Sequence, residues 1–219
     1  MTLDIKICGL KTPDTVAASL DGGASHIGFI FFAKSPRNIS AGDARALRQA
    51  ATGRAKAVAV TVDADDDTFQ AIVDTMRPDV LQLHGHETPE RVAEVKARYG
   101  LEVMKAVAIR DASDIALIAP YRAVADRFLL DAKPPAGSKL PGGNGVTFDW
   151  RVLAALDGDV NYMLSGGLNA ANIGEALNLS YPPGIDISSG VESAPGTKDV
   201  ALIEDFFRAV KAAGGRRHA

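Results

Sequence analysis

The stretch LDIKICGLKTPDTVAASLDGG, residues 3–23, decides the fold because it holds one complete strand–helix unit. It opens with alternating apolar and polar side chains, a pattern typical of a β-strand. Thr12 then offers a helix N-cap, Pro13 suits the first helical position, and a pair of glycines ends the helix. The stretch therefore predicts a strand over 3–8 followed by a helix over 12–23.

The same unit recurs along the chain without a break in composition. Strands are predicted at 3–8, 26–32, 56–62, 80–84, 102–107, 127–132, 161–165 and 185–189. Helices are predicted at 12–23, 40–53, 66–78, 88–100, 113–121, 148–156, 169–179 and 199–215. Strands that alternate with helices pair in parallel and are buried on both faces. Eight such units in 219 residues predict a single-domain (β/α)8 barrel over residues 1–219, with a doubly wound open sheet as the structural alternative.

The composition narrows the class of protein. Apolar residues make up 47% of the chain, charged residues 23%, and the formal net charge is -3. Such mild acidity does not predict a nucleic-acid or membrane-surface partner, and we interpret Arg216 and Arg217 as a solvated basic end. The N-terminal residues do not resemble a signal peptide, and no apolar run is long enough to cross a bilayer. With a single cysteine and hence no internal disulfide, we expect a cytoplasmic protein.

That single cysteine, Cys8, ends the first strand. Alternation along the strand places Lys6 and Cys8 inside the barrel and turns Ile5 and Ile7 toward the helices. Active sites of this fold lie at the carboxyl ends of the strands. Cys8 is therefore either a small buried apolar side chain or a reactive thiol whose thiolate Lys6 would favour.

Other polar side chains follow later strands. Arg37, beyond strand 2, is either a surface arginine or a two-pronged partner for a carboxylate or phosphate. Gln82 and His84 share a face of strand 4 and suit a hydrogen-bonding wall; with His86 they are too few to predict a metal site. Asp131 at the end of strand 6 is either a loop cap or an acid with a raised pKa.

Glycines and serines follow the last three strands. They are Gly142, Gly143 and Gly145 after strand 6, Gly166 and Gly167 after strand 7, and Ser188, Ser189 and Gly190 after strand 8. Glycine lets backbone N–H groups approach a ligand closely, and neighbouring helix starts attract anions. Phosphate sites recur at this edge of the barrel. Three such glycine- and serine-rich loops, after adjacent strands, predict a phosphate-binding site.

Together these motifs resemble the phosphoribosylanthranilate isomerase family from about residue 5 to residue 207. They are KICGL (6–10), SPR (35–37), LQLHG (81–85), LLDAK (129–133), PGGNG (141–145) before FDW (148–150), LSGGLNAANI (164–173) and DISSGVESAPGTKD (186–199). The resemblance implies the Amadori rearrangement of N-(5-phosphoribosyl)anthranilate in tryptophan biosynthesis, with neither cofactor nor metal.

The resemblance also implies residue roles. Cys8 is the implied general base and Asp131 the implied general acid, while Arg37 lies near the anthranilate carboxylate and Asp186 contacts the substrate's amino group or sugar. The glycine- and serine-rich loops hold the phosphate. Cys8 and Asp131 then need opposite protonation states near neutral pH. We expect Lys6 and Arg37 to favour the thiolate and partial desolvation to keep Asp131 protonated in part.

The sequence departs from the family at a few positions. Asn144 stands where the family usually has threonine, Thr61 where it usually has an aromatic residue, and Ser165 where alanine is commoner. Asn144 can still donate a hydrogen bond, and Thr61 could change a wall of the site or a packing contact.

Three alternatives and one open question remain. One is a Schiff-base aldolase or lyase that uses Lys133 or Lys105 on a phosphosugar. Another is a barrel that binds a phosphorylated ligand without turnover. A third, indole-glycerol-phosphate synthase, would need a lysine acid and a carboxylate pair at other strand ends, which we do not find. The protein could be a monomer or a homodimer.

Overall fold

Parallel strands closed into a barrel form the centre of the computed structural model, which describes residues 3–134, 137, 138 and 140–214. Among these residues eight strands pair in chain order. They are β1 (Asp4–Cys8), β2 (His26–Phe31), β3 (Lys56–Thr61), β4 (Val80–Leu83), β5 (Glu102–Ile109), β6 (Arg127–Ala132), β7 (Tyr162–Leu164) and β8 (Gly184–Ile187). β8 pairs with β1, with Lys6 opposite Asp186, so the sheet is closed. The predicted (β/α)8 barrel is confirmed, and the open sheet is excluded.

Six α-helices in the described residues cover the outside of the barrel. They are α1 (Pro13–Gly22), α2 (Ala41–Arg48), α3 (Asp66–Met76), α4 (Pro89–Tyr99), α5 (Ile173–Ser180) and α6 (Val200–Gly214). The Thr12 side chain caps α1 by accepting the N–H of Thr15, as predicted. Gly23 follows the helix with φ 102°, a left-handed conformation that favours glycine. In the described part of the chain, no helix combines the length and hydropathy needed to span a membrane.

Two predicted helices have a different form. The segments Ala112–Tyr121 and Trp150–Ala155 are 3-10 helices. In the first, Pro120 has no N–H for an i→i−4 bond and crowds the preceding turn. The second is only 6 residues long, too short for a stable α-helical ladder. Arg216 and Arg217 lie outside the described residues.

The inward and outward faces of the strands build two separate cores. Ile5 and Ile7 belong to the large core between barrel and helices. The smaller core inside the barrel contains Cys8, Val58, Val60, Val80, Met104, Ala106, Leu129 and Met163. Lys6 also points inward and is fully buried. The predicted alternation along β1 is therefore confirmed.

The strands are not joined equally strongly. β5 and β6 pair over six register positions from Met104 to Ile109 on β5, whereas β7 and β8 share a single register pair, Leu164 with Ile185. The weakest seam of the barrel thus lies between its last two strands.

Charged side chains close the amino-terminal end of the barrel. Arg127 donates to Asp4 at 2.6 Å, and Lys56 pairs with Glu102. His26 is buried beside them, with its Nδ1 2.8 Å from Ser25 Oγ. Burial lowers the pKa of His26 to about 4, because the imidazolium would lose its hydration there.

This buried histidine predicts acid sensitivity. Between pH 6.5 and about 4 the unfolded chain protonates His26 and the folded chain does not, so the free energy of unfolding falls as the pH drops. The loss attributable to His26 approaches about 3 kcal/mol at the lower limit. Urea unfolding of His26→Asn across this range is expected to show a shallower pH slope than wild type. His86→Asn is the control, because the His86 side chain is 95% exposed; equal slopes for all three proteins would refute the assignment.

Candidate active site at the carboxyl ends of the strands

A cavity at the carboxyl ends of the strands brings most of the predicted site residues together. Its lining includes Cys8, Arg37, Gln82, His84, Asp131, Gly142, Gly143, Gly166, Gly167, Asp186, Ser188 and Ser189. Gly145 and Gly190 do not line it. Gly145 occupies a turn with φ 71°, and a Cβ on Gly190 would lie 1.9 Å from the carbonyl oxygen of Leu168. Gly190 therefore serves close backbone packing.

Cys8 lies on one wall of the cavity and is 4% exposed. Gly28 lies opposite it on β2, and a Cβ there would come within 2.9 Å of Cys8 Sγ and 3.1 Å of Lys6 Nζ. Because Gly28 has no side chain, the Cys8 thiol and the Lys6 ammonium can both occupy the space in front of it.

Burial raises the pKa of the Cys8 thiol despite the nearby Lys6. Lys6 favours the thiolate, as expected, but burial outweighs its effect on the pKa of Cys8. Lys6 Nζ donates to Asp186 Oδ1 at 2.8 Å, and this carboxylate offsets much of its charge. Although burial alone would lower the pKa of Lys6, Asp186 and Cys8 hold it above its usual range.

Arg37 is buried at the opposite rim, so it is not a surface arginine. Its Nε and Nη2 donate to the two oxygens of Glu192 at 2.7 and 2.8 Å, and Nη2 also reaches Gly143 O at 3.4 Å. Gly9, with φ 81°, leaves room for its stem, because a Cβ there would lie 2.8 Å from Arg37 Cδ. Glu192 thus occupies the Nε–Nη2 edge of the guanidinium, which we expected to face a ligand. The Nη1 side of the guanidinium is the side left to contact one.

Glu192 and Lys198 are charged residues of the site that the sequence analysis missed. They lie on a hairpin formed by β9 (Glu192–Ala194) and β10 (Thr197–Lys198). Lys198 Nζ donates to Glu192 Oε1 and lies 3.4 Å from Ser188 Oγ. Although burial alone would raise it, Arg37 and Lys198 hold the pKa of Glu192 at about 2. The Pro195-Gly196 turn was the signal that could have predicted the hairpin.

Asp131 faces the cavity from β6 and is 5% exposed. One carboxylate oxygen accepts the N–H of Ala132 at 2.9 Å, and the other lies 3.3 Å from His84 Nε2. The Gln82 amide nitrogen is 2.9 Å from His84 Nδ1. Nε2, on the other side of the ring, faces Asp131. The predicted wall of Gln82 and His84 thus lies against the Asp131 carboxyl group.

The loop after β6 passes directly over this group. A Cβ on Gly142 would lie 2.6 Å from Asp131 Oδ2 and 2.8 Å from His84 Nε2. Gly166 and Gly167, after β7, have φ 92° and 61°. A Cβ on Gly166 would lie 2.6 Å from Ala132 N, and one on Gly167 would lie 2.7 Å from Val146 O, so glycine lets the loop after β7 pack closely against its neighbours at the cavity edge.

Comparison with known proteins agrees with this geometry. The family model described as N-(5'phosphoribosyl)anthranilate (PRA) isomerase matches residues 5–209. The chain belongs to this isomerase family. A relative from Chelativorans sp. (strain BNC1), named N-(5'-phosphoribosyl)anthranilate isomerase, is 68% identical over 99% of this chain and 100% of its own length. One of the same name from Brucella canis is 69% identical over 100% and 99%.

Solved structures give the same family. Phosphoribosyl anthranilate isomerase from Thermotoga maritima superposes with a TM-score of 0.86 and 32% identity over 96% of this chain and 100% of its own. Another structure of that organism's enzyme concerns monomers generated from a dimer. The enzyme class and the fold predicted from the sequence are therefore confirmed.

Neither lysine of the Schiff-base alternative lines the cavity of this isomerase. Lys105 points away from the barrel interior, donates to Glu87 Oε2 at 2.9 Å and lies 5.7 Å from the ring centre of Tyr121. Lys133 is 43% exposed and faces Asp114 at 3.5 Å. In the described residues no cluster of three or more His, Cys, Asp or Glu side chains could hold a metal ion.

The departures from the family pattern have separate consequences. Thr61 is fully buried, lies outside the cavity and donates to Gln82 O at 3.4 Å, so its effect is on packing. Asn144 lines the cavity, but its amide nitrogen donates to Leu140 O at 3.2 Å. Ser165 Oγ donates to Asp186 Oδ2 at 3.2 Å, a bond that alanine could not make.

Glu192 is expected to be important for stability. Glu192→Gln leaves Arg37 and Lys198 buried without their counter-charge, and we expect a loss of about 3 kcal/mol in the free energy of unfolding at pH 7. Glu94→Gln, in an exposed pair with Arg91, is the control and should change it by less than about 0.5 kcal/mol. Chemical denaturation measures both, and similar values for the two variants would contradict the expected role of Glu192.

Proposed function

We propose that this protein converts N-(5'-phosphoribosyl)anthranilate to 1-(2-carboxyphenylamino)-1-deoxyribulose 5-phosphate in the tryptophan pathway, with Cys8 as general base and Asp131 as general acid. The observation that carries the proposal is the placement of a thiol and a carboxyl group, from β1 and β6, on the wall of one cavity edged by glycine loops. A solved family member, 29% identical, is in complex with reduced 1-(o-carboxyphenylamino)-1-deoxyribulose 5-phosphate.

The first two steps of the reaction need one proton given by an acid and one taken by a base. In its protonated form, Asp131 gives its proton to the ring oxygen. The C1–O bond breaks, the anthranilate nitrogen forms an imine with C1, and Asp131 is left as the carboxylate. The imine acidifies the C2–H bond, and the Cys8 thiolate takes that proton. The resulting enolamine gains a proton at C1 and loses the proton of its C2 hydroxyl, which gives the ketone. Each positioned proton transfer contributes about 10²–10⁴-fold in rate.

Two anionic ends of the substrate would fix the sugar between acid and base. The backbone of Gly166 and Gly167, with Ser188 and Ser189, suits the phosphate, because these residues line the cavity and the Lys198 ammonium lies 3.4 Å from Ser188 Oγ. The Nη1 side of Arg37 suits the anthranilate carboxylate. Because a base thiol must stay reduced, we place the activity in the cytoplasm.

Cys8→Ser and Asp131→Asn test the two proton transfers. Each is expected to lower kcat by at least about 100-fold, measured as loss of fluorescence of substrate generated in situ. Lys133→Met, on an exposed lysine outside the cavity, should keep kcat within about twofold. Thermal unfolding confirms that each variant is folded. Wild-type turnover with an equally fast Cys8→Ser variant would show that the base is misassigned, and binding without any turnover would favour the non-catalytic alternative.

Ser189→Asp tests the phosphate end separately. The added carboxylate would repel a phosphate held by the last two loops, so we expect KM to rise at least about tenfold, with a smaller change in kcat. Ser193→Asp is the matched control, because Ser193 is exposed on β9 and does not line the cavity. Equal KM values for the two variants would mean that the phosphate binds elsewhere.

A further inference from the structure

A line of buried polar side chains crosses the inside of the barrel next to the cavity. Lys6 Nζ donates to Asp186 Oδ1 at 2.8 Å, and Ser165 Oγ donates to Asp186 Oδ2 at 3.2 Å. Lys6 has no exposed surface and Asp186 is 5% exposed. A buried ion pair costs desolvation energy that packing of apolar side chains would avoid. Its presence beside the reactive thiol points to a functional use.

Lys6 is placed to act on Cys8. The two residues are inward neighbours on β1, and Sγ and Nζ border the same space in front of Gly28. The charge on Lys6 favours the thiolate, while that of Asp186 opposes it. Lys6 thus lies between the Cys8 thiol, which it can stabilise as a thiolate, and the Asp186 carboxylate, with which it already forms an ion pair.

Other charged groups around the cavity do not replace Lys6. Lys198 interacts with Cys8 electrostatically, but it is paired with Glu192, as is Arg37. Asp131 and His84 face each other on another part of the wall. Lys6, which borders the same space as Cys8 Sγ, is therefore the cation best placed to compensate a negative charge on Cys8.

We propose that Lys6 is the positioning residue that makes Cys8 a base, and that Asp186 controls how much of the Lys6 charge acts on the thiol. While the Asp186 carboxylate is paired with Lys6, it takes most of that charge, and Cys8 stays a thiol. A ligand N–H or O–H that donates to Asp186 withdraws the carboxylate from Lys6. The thiol then releases its proton to water, and the ammonium compensates the charge left on Sγ. This inference rests on the proposed role of Cys8 as the base.

The test measures the thiolate directly. Because the chain has one cysteine, thiolate absorbance at 240 nm, taken as the difference from Cys8→Ser, reports on Cys8 alone. Asp186→Asn keeps the shape of the side chain and removes its charge. We expect the midpoint of thiolate formation to fall by at least about two pH units relative to wild type.

The double variant Lys6→Met/Asp186→Asn is the matched control, since it removes both charges and keeps the volumes similar. Its midpoint should be no lower than that of wild type. If Asp186→Asn gains no thiolate because Lys6 loses its own proton instead, or if the double variant gains as much thiolate, the proposal is overturned. Should Asp186→Asn not fold, as judged by circular dichroism, Asp186→Ser is measured in its place with the same expectation.

This experiment separates the two proposals, because thiolate absorbance needs no substrate. A shifted midpoint together with an active Cys8→Ser enzyme would retain the Lys6 effect and refute the base assignment. An unshifted midpoint together with an inactive Cys8→Ser enzyme would retain the base and refute the role of Lys6.

Discussion

The ion pair between Lys6 and Asp186 joins the first strand of the barrel to the last, and the site is built around it. Both residues lie in register across the β1–β8 seam, so the contact that closes the sheet also lies beneath the reactive wall. Two charges in an apolar interior must be fully paired, because an uncompensated one costs several kcal/mol. The pair therefore restricts which side chains its neighbours can carry, and Gly28 and Ser165 fit that restriction by leaving space and by donating a hydrogen bond.

A second buried cluster organises the rim. Glu192 accepts hydrogen bonds from Arg37 after β2 and from Lys198 and the Gly196 backbone on the hairpin after β8. Arg37 in turn reaches the loop after β6 through Gly143 O. Glu192 and Arg37 together thus connect three segments that are distant in the sequence. This arrangement gives loops without regular secondary structure a fixed position, which an active site on loop residues requires.

The sequence was sufficient to predict the features that depend on residues close to one another in the chain. Strand alternation placed Lys6 and Cys8 inside the barrel, and the threonine, proline and glycine signals located helix ends. It could not predict which charges meet, because Lys6 and Asp186 are 180 positions apart and Arg37 and Glu192 are 155 apart. For that reason the sequence could not show that Glu192 occupies one edge of Arg37, or that Asp186 offsets the charge of Lys6 beside Cys8. Pro120 was the available sign that one predicted helix could not be a regular α-helix.

The weak seam between β7 and β8 has a consequence for how the barrel responds to ligands. The loops that leave these two strands carry Gly167 and Ser189, and both face the cavity. A ligand held by both loops would tie together the strands that the sheet itself joins least well. Occupancy would then suppress the opening of that seam, slow the exchange of its amide hydrogens, and add the binding free energy to the resistance of the whole barrel against unfolding.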